Sequence, residues 1–171
     1  MNRPRKTVLI LFLLLVPGIY AVASDQKVSL GLSPEFNMNS RKNFAGGLGL
    51  HFDYNFPIAG VCFAAGAFVN ASTNFSGFGI IEPAALFRWY FPGGGYAGGF
   101  LQADLGISLI PEDGEVIPLF LGGIRGGYRF PIGEMMYVEP FGRFGYPFMF
   151  GIGVVAGLRL GSYSQQAVLY R

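Results

Sequence analysis

Three observations predict an all-β fold, a closed eight-stranded antiparallel up-and-down transmembrane barrel that follows a cleaved signal peptide. The chain opens on an export-type leader. It carries few charges, yet no later apolar run reaches the length of a membrane helix. Eight segments alternate apolar and polar or small residues with a period of two. The expected division is a signal peptide over 1–23, a barrel over 24–161 and a tail over 162–171.

The leader has a basic start (Arg3, Arg5, Lys6), an apolar run over 8–16 and a break at Pro17-Gly18. Ala21-Val22-Ala23 supplies the small-x-small pattern that precedes cleavage, which places the cut between Ala23 and Ser24. The apolar run is too short for the roughly 20 residues a membrane helix needs. Of twelve Lys and Arg, three lie in the leader, leaving nine against ten Asp and Glu. The basic excess thus belongs to the leader, and nothing points to nucleic acid.

Charged residues make up 13% of the chain, against roughly 25% in an average soluble domain. Lipid demands that every backbone polar group find a partner within the protein, and without helices only a closed barrel does this. The single cysteine, Cys62, forms no internal disulfide and reads as a small filler.

The segment over 44–56 shows the alternation most clearly: Leu48, Leu50, Phe52, Tyr54 and Phe56 share one parity, and Gly47, Gly49, His51, Asp53 and Asn55 the other. The remaining segments repeat it. Val28, Leu30 and Leu32 open the first, and Val61, Phe63 and Val69 mark the third. The fourth has Ile81, Phe87, Trp89 and Phe91, and the fifth Leu101, Leu105 and Leu109. Phe120, Ile124, Tyr128 and Phe130 mark the sixth, Val138, Phe144, Tyr146 and Phe148 the seventh, and Phe150, Ile152, Val154 and Leu158 the eighth.

This apolar parity contains no ionisable Asp, Glu, Lys, Arg or His. The other holds Glu35, Asp53, Glu82, Asp104, Glu139, Arg88, Arg125, Arg129, Arg143, Arg159 and His51, together with most of the strand glycines. A charge facing lipid at mid-membrane costs roughly 2–4 kcal/mol, so the apolar side faces out and the charged side lines the lumen. An eight-stranded lumen is just wide enough for side chains to fill. Glu35, Asp53, Glu82, Arg88, Asp104, Arg125, Arg129, Glu139, Arg143 and Arg159 are therefore expected to form an ion-pair network that closes it.

Three segments end in an aromatic residue followed by proline and a short turn: Phe56-Pro57, Phe91-Pro92 and Phe130-Pro131. Short turns belong on the periplasmic side. Tyr54, Phe56, Trp89, Phe91, Tyr128 and Phe130 would form the inner aromatic girdle. Outer loops are expected over 34–43, 71–77, 111–116 and 146–149, and Pro83 and Pro140 are expected to mark bulges or strand starts.

Leader, alternating segments and Phe-Pro hairpin ends together resemble the small outer-membrane barrels of the OmpA/OmpX/OmpW type. The stretch Tyr137-Val138-Glu139-Pro140-Phe141 with Arg143-Phe144-Gly145-Tyr146-Pro147-Phe148 is similar to short spirochaete barrels. The resemblance implies a bacterial outer-membrane location, the lipid bilayer as surroundings and the barrel-assembly machinery as a partner in biogenesis. Such barrels usually end in an aromatic used in assembly, whereas this chain continues over 162–171.

No cofactor or metal is expected, because one His and one Cys form no ligand cluster. His51 and Asp53 point to the same side and could act as an acid–base pair, but no serine stands out beside them. The function expected is a non-catalytic integral outer-membrane protein, structural or surface-exposed. The alternatives are a narrow channel for small or hydrophobic solutes, gated by exchange within the lumen network, and adhesion or host-surface binding through residues 37–42 or 112–115.

Overall fold

A computed structural model describes residues 27–39, 44–74, 79–92, 95–112 and 115–160. The expected leader, its cleavage site at Ala23 and Ser24, and the tail over 162–171 lie outside these residues. Eight strands run in order: β1 (Lys27–Met38), β2 (Phe44–Ile58), β3 (Val61–Thr73), β4 (Gly79–Tyr90), β5 (Gly98–Glu112), β6 (Glu115–Ile132), β7 (Met136–Tyr146) and β8 (Phe150–Leu160). Each pairs antiparallel with the next, and β8 closes on β1. Ring closure gives every strand a partner on both sides along most of its length, which suits a chain whose outer surface is apolar.

The ring closes with a stagger. From Val28, the register leads through Tyr54, Ala65, Phe87, Ala103, Ile124, Phe144 and Phe150 back to β1 at Met38, the strand's opposite end. Such an offset tilts the strands, typically by 35–45°. Residues far apart along the hydrogen-bond path are thereby brought to one height in the lumen.

Tight turns join strands at the end of the barrel where β1 begins and β8 finishes, here called the terminal end. At Ala59 and Gly60 both φ values are positive, 50° and 81°, the requirement of a two-residue type I′ hairpin. At the far end, β3 runs on through Thr73, and β5 and β6 reach Glu112 and Glu115. Within the expected loops at 34–43, 71–77 and 111–116, residues 34–38, 71–73, 111–112 and 115–116 are thus strand. The apolar parity supports this extension, because Leu109, Pro111, Val116 and Pro118 continue the outward stripe.

Exposure is inverted relative to a soluble protein. Leu32, Leu48, Leu105, Ile124, Phe144 and Ile152 stand exposed, whereas Glu82, Arg88, Arg125 and Glu139 are fully buried. Glycines make the room inside. A Cβ on Gly31 or Gly157 would collide with Tyr137, one on Gly127 or Gly153 with Phe100 or Phe141, and one on Gly151 with Arg143. Small residues thus face large ones across the narrow interior.

Pro83 and Pro140 are not bulges or strand starts. Ile81 opposes Leu109 before the gap at Pro83 and Ala84 opposes Gly106 after it, so the β4–β5 register is unchanged. Likewise Gly127 opposes Phe141 and Phe130 opposes Val138 on either side of the gap at Pro140. Pro34 leaves the same kind of gap between β1 and β8. Each proline lies outward and lacks the N–H for one ladder bond, so the missing rungs follow from chemistry rather than from an inserted residue.

One outward assignment is corrected. Phe148 lies beyond β7, in the turn before β8, where strand parity no longer applies. It folds inward and packs with Ala45, Ile80 and Ile110 over the far mouth.

Candidate functional site

The lumen is the candidate site, and its charges fall into two clusters. Toward the terminal end, Glu139 on β7 accepts from Arg129 Nε at 2.6 Å and from Arg88 Nη1 at 2.9 Å, and its other oxygen lies 2.8 Å from Arg88 Nη2. Asp53 on β2 faces Arg129 at 3.2 Å and Arg88 at 3.9 Å. Tyr90 and Ser29 complete this layer: Arg88 donates to the tyrosine oxygen and Arg129 to the serine hydroxyl. Two carboxylates meet two guanidiniums, so the charges balance.

Toward the far end, Glu35 on β1 is shared by Arg125 at 3.1 Å and Arg143 at 3.3 Å. Arg143 also reaches Glu82 at 3.4 Å, and Arg125 Nε lies 3.4 Å from Asp104. Asn70 donates to Glu82 at 3.1 Å and more distantly to Glu35, while Ser108 donates to Glu82. Gln102 joins the clusters: its oxygen accepts from Arg88 and its amide donates to Asp104 at 2.6 Å. The strand stagger makes these contacts possible, because partners such as Arg125 and Glu35 lie on strands that are not neighbours in the ring.

Rings flank the guanidiniums. Arg88 lies over Phe100 at 4.2 Å, Arg125 between Phe141 at 4.2 Å and Phe68 at 5.0 Å, and Arg129 over Tyr137 at 4.0 Å. A desolvated cation over an aromatic face gains about 2 kcal/mol or more. These aromatics, with Gln102, Asn70 and Ser33, are lumen residues that the search for opposite charges overlooked. Their signal was in the sequence, since each shares the inward parity of its strand. Rings lie buried near both ends of the lumen: Phe148 at the far end, and Tyr96 at the terminal end, edge-on to Tyr90 at 5.8 Å.

The structure thus brings nine of the ten expected network residues into these clusters, namely Glu35, Asp53, Glu82, Arg88, Asp104, Arg125, Arg129, Glu139 and Arg143. Arg159 is placed differently. It sits half-buried at the terminal rim, where its guanidinium donates to the carbonyls of Gly133 and Glu134 in the β6–β7 turn. Its position near the end of β8 explains this, because the side chain has reached the mouth. Of the expected girdle, Tyr54 and Phe56 stack at 6.0 Å, Trp89 meets Phe91 edge-on at 5.2 Å, and Tyr128 and Phe130 pack at a tilt at 4.4 Å. Phe63 and Phe87, stacked at 5.6 Å, extend the same belt.

His51 has a serine beside it after all. Its Nε2 lies 2.7 Å from Ser33 Oγ, which donates to Glu35 Oε1 at 3.2 Å. The diagonal placement of Ser33 follows from the β1–β2 register, which sets Gly31 opposite His51. The carboxylate stands on the serine's side of the imidazole, 4.0 Å from Nε2, whereas a nucleophilic triad holds its acid at Nδ1. The imidazole stacks on Phe68 at 5.4 Å and is buried. The Ser33–His51 contact ties β1 to β2. Among the described residues, no group of three or more His, Cys, Asp or Glu is placed to hold a metal ion.

No protein-family model matches the chain, and no curated protein matches it. Among solved structures, the crystal structure of Neisserial surface protein A (NspA) superposes with a TM-score of 0.56 at 14% identity. The fold is that of NspA. The match covers 80% of this chain and 97% of the NspA chain, so it includes essentially the whole eight-stranded ring. At this identity the likeness to NspA speaks for the architecture, and the lumen chemistry stands on this chain's own residues.

Proposed function

We propose that this chain is a small integral outer-membrane barrel protein, structural or surface-exposed and non-catalytic, whose lumen is closed by its arginine–carboxylate core. The carrying observation is the inverted exposure. Apolar side chains stand exposed around the ring, while nine charged side chains are buried inside it. Water would not tolerate the first, and lipid would not tolerate the second on the outside. The architecture shared with an NspA-type surface protein supports the same placement, with the tight turns inward and the far end outward.

The second reading is a narrow channel for small or hydrophobic solutes. One observation favours it: Arg143 is shared between Glu35 and Glu82 at nearly equal distances, so its pairs can exchange without leaving the lumen. Planar-bilayer conductance of the full-length protein, produced with its leader and checked for a heat-modifiable gel shift, separates the readings. A folded, silent barrel supports the closed lumen. Discrete current steps that change in Arg143→Ala refute it in favour of the channel.

A further inference from the structure

At the far end, β5 and β6 run on beyond β7. The first β6–β7 pair is Gly122 with Tyr146, whereas the β5–β6 ladder continues to Glu112 with Glu115. Among the described residues, 115–121 of β6 therefore have β5 on one side and no strand on the other. Which backbone groups face the open side follows from the gap at Pro140. Antiparallel bonding alternates along a strand, and the Tyr128 rung fails for want of the Pro140 N–H. Even-numbered residues of β6 thus bond toward β7. Above Gly122 it is Val116, Pro118 and Phe120 that turn to the open edge, Pro118 with its carbonyl alone.

The side chains around this edge are apolar on both faces. Val116 is 58% exposed, Phe120 62% and, on the opposite face, Ile117 40%. At the tip, Glu112 directly opposes Glu115, and both are exposed. Like charges placed opposite one another across a ladder are destabilising. A cation arriving at the tip relieves that repulsion.

We propose that the open edge of β6 docks an extended apolar segment of a soluble protein, one with a basic residue that seats between Glu112 and Glu115. This is strand addition at a sheet edge, with main-chain bonds to Val116 and Phe120 and apolar contacts to Val116, Ile117 and Phe120. It rests on the reading that the far end faces outward from the membrane. The tip charges choose the occupant. An anionic lipid surface is repelled by the two carboxylates. A second copy inserted the same way up brings an identical acidic pair to the same height, and its tilted β6 crosses this edge instead of lying along it. A basic, extended peptide meets neither obstacle, and Pro118 keeps the edge from pairing indiscriminately.

The test uses the full-length barrel in lipid nanodiscs and two short labelled peptides that alternate valine and threonine, one ending in lysines and its twin in glutamates. Fluorescence anisotropy should show the lysine peptide bound several-fold more tightly. Glu112→Gln combined with Glu115→Gln should erase that preference, and Pro118→Val, which restores a donor to the edge, should tighten the lysine peptide. Equal binding of the two peptides, or no binding to an inserted barrel, overturns the proposal. A chain that does not insert into lipid at all refutes the membrane reading instead, so the two failures are distinct. Should Pro118→Val fail to fold, the double glutamine variant decides alone.

Discussion

Glu139 is the carboxylate that two guanidiniums share at 2.6–2.9 Å, and it is fully buried. In Glu139→Gln, Arg88 and Arg129 lose their common counter-charge and keep only Asp53, at 3.9 and 3.2 Å. Breaking a buried pair from one side costs about 3–5 kcal/mol, since a charge is left without its partner. Asp53 retains part of the compensation, which puts the loss near the lower end of that range. With a urea slope of about 1–3 kcal/mol/M, the unfolding midpoint should fall by on the order of 1–3 M. Trp89, the only tryptophan, stands on the outward face and reports the transition by fluorescence, with the heat-modifiable gel shift as a second probe. The companion variant is Arg88→Met with Glu139→Leu. It removes one charge of each sign and leaves Arg129 paired with Asp53, so it should recover most of the lost stability. A Glu139→Gln midpoint equal to the parent's, or a double variant as unstable as the two single losses added together, would refute the argument that charge compensation holds this layer.

Leu105→Arg places a charge on the outward belt and should cost roughly 2–4 kcal/mol in lipid, read from the same urea titration. Gly157→Ala and Gly126→Ala make identical chemical changes with opposite expectations. The first drives a methyl into Tyr137 and should cost about 1–3 kcal/mol by overpacking; the second meets only the Phe100 carbonyl oxygen, at an ordinary 3.9 Å, and should be neutral or stabilise by up to about 1 kcal/mol. Pro140→Val restores a ladder donor between β7 and β6 and should stabilise by about 0.5–1.5 kcal/mol, with slowed amide exchange at that seam. A destabilised Pro140→Val would mean that the proline ring, rather than the missing bond, sets the local geometry.

What could be read from the sequence was decided by the surroundings each residue must meet. Lipid tolerates no charge, so the split between Leu48–Leu50–Phe52 and Gly49–His51–Asp53 assigned both faces before any coordinates. The pairings within the lumen were not legible. They depend on the stagger, which sets Arg129 beside Ser29 and Asp53, and Arg125 beside Glu35. Period-two reasoning stops where a strand stops, which is why Phe148 was placed outward; Arg159 keeps its inward parity opposite Ser29 but stands near the end of β8, at the mouth. The prolines were misread because a missing donor and an inserted residue leave similar marks in a sequence, and only the unchanged pairing on both sides of Pro83 and Pro140 separates them.

The path from Val28 around the ring to Met38 carries a consequence for how this chain can vary. In an open sheet, a slipped hairpin harms its own neighbours and no further. Here the offsets of eight ladders must add up to one fixed value or the last strand cannot meet the first. A residue inserted into any strand therefore has to be matched by a change in another ladder, or the seam between β8 and β1 is lost. Changes of length are confined to the connections between strands, and formation of the wall becomes all-or-none: the final pairing verifies every one before it.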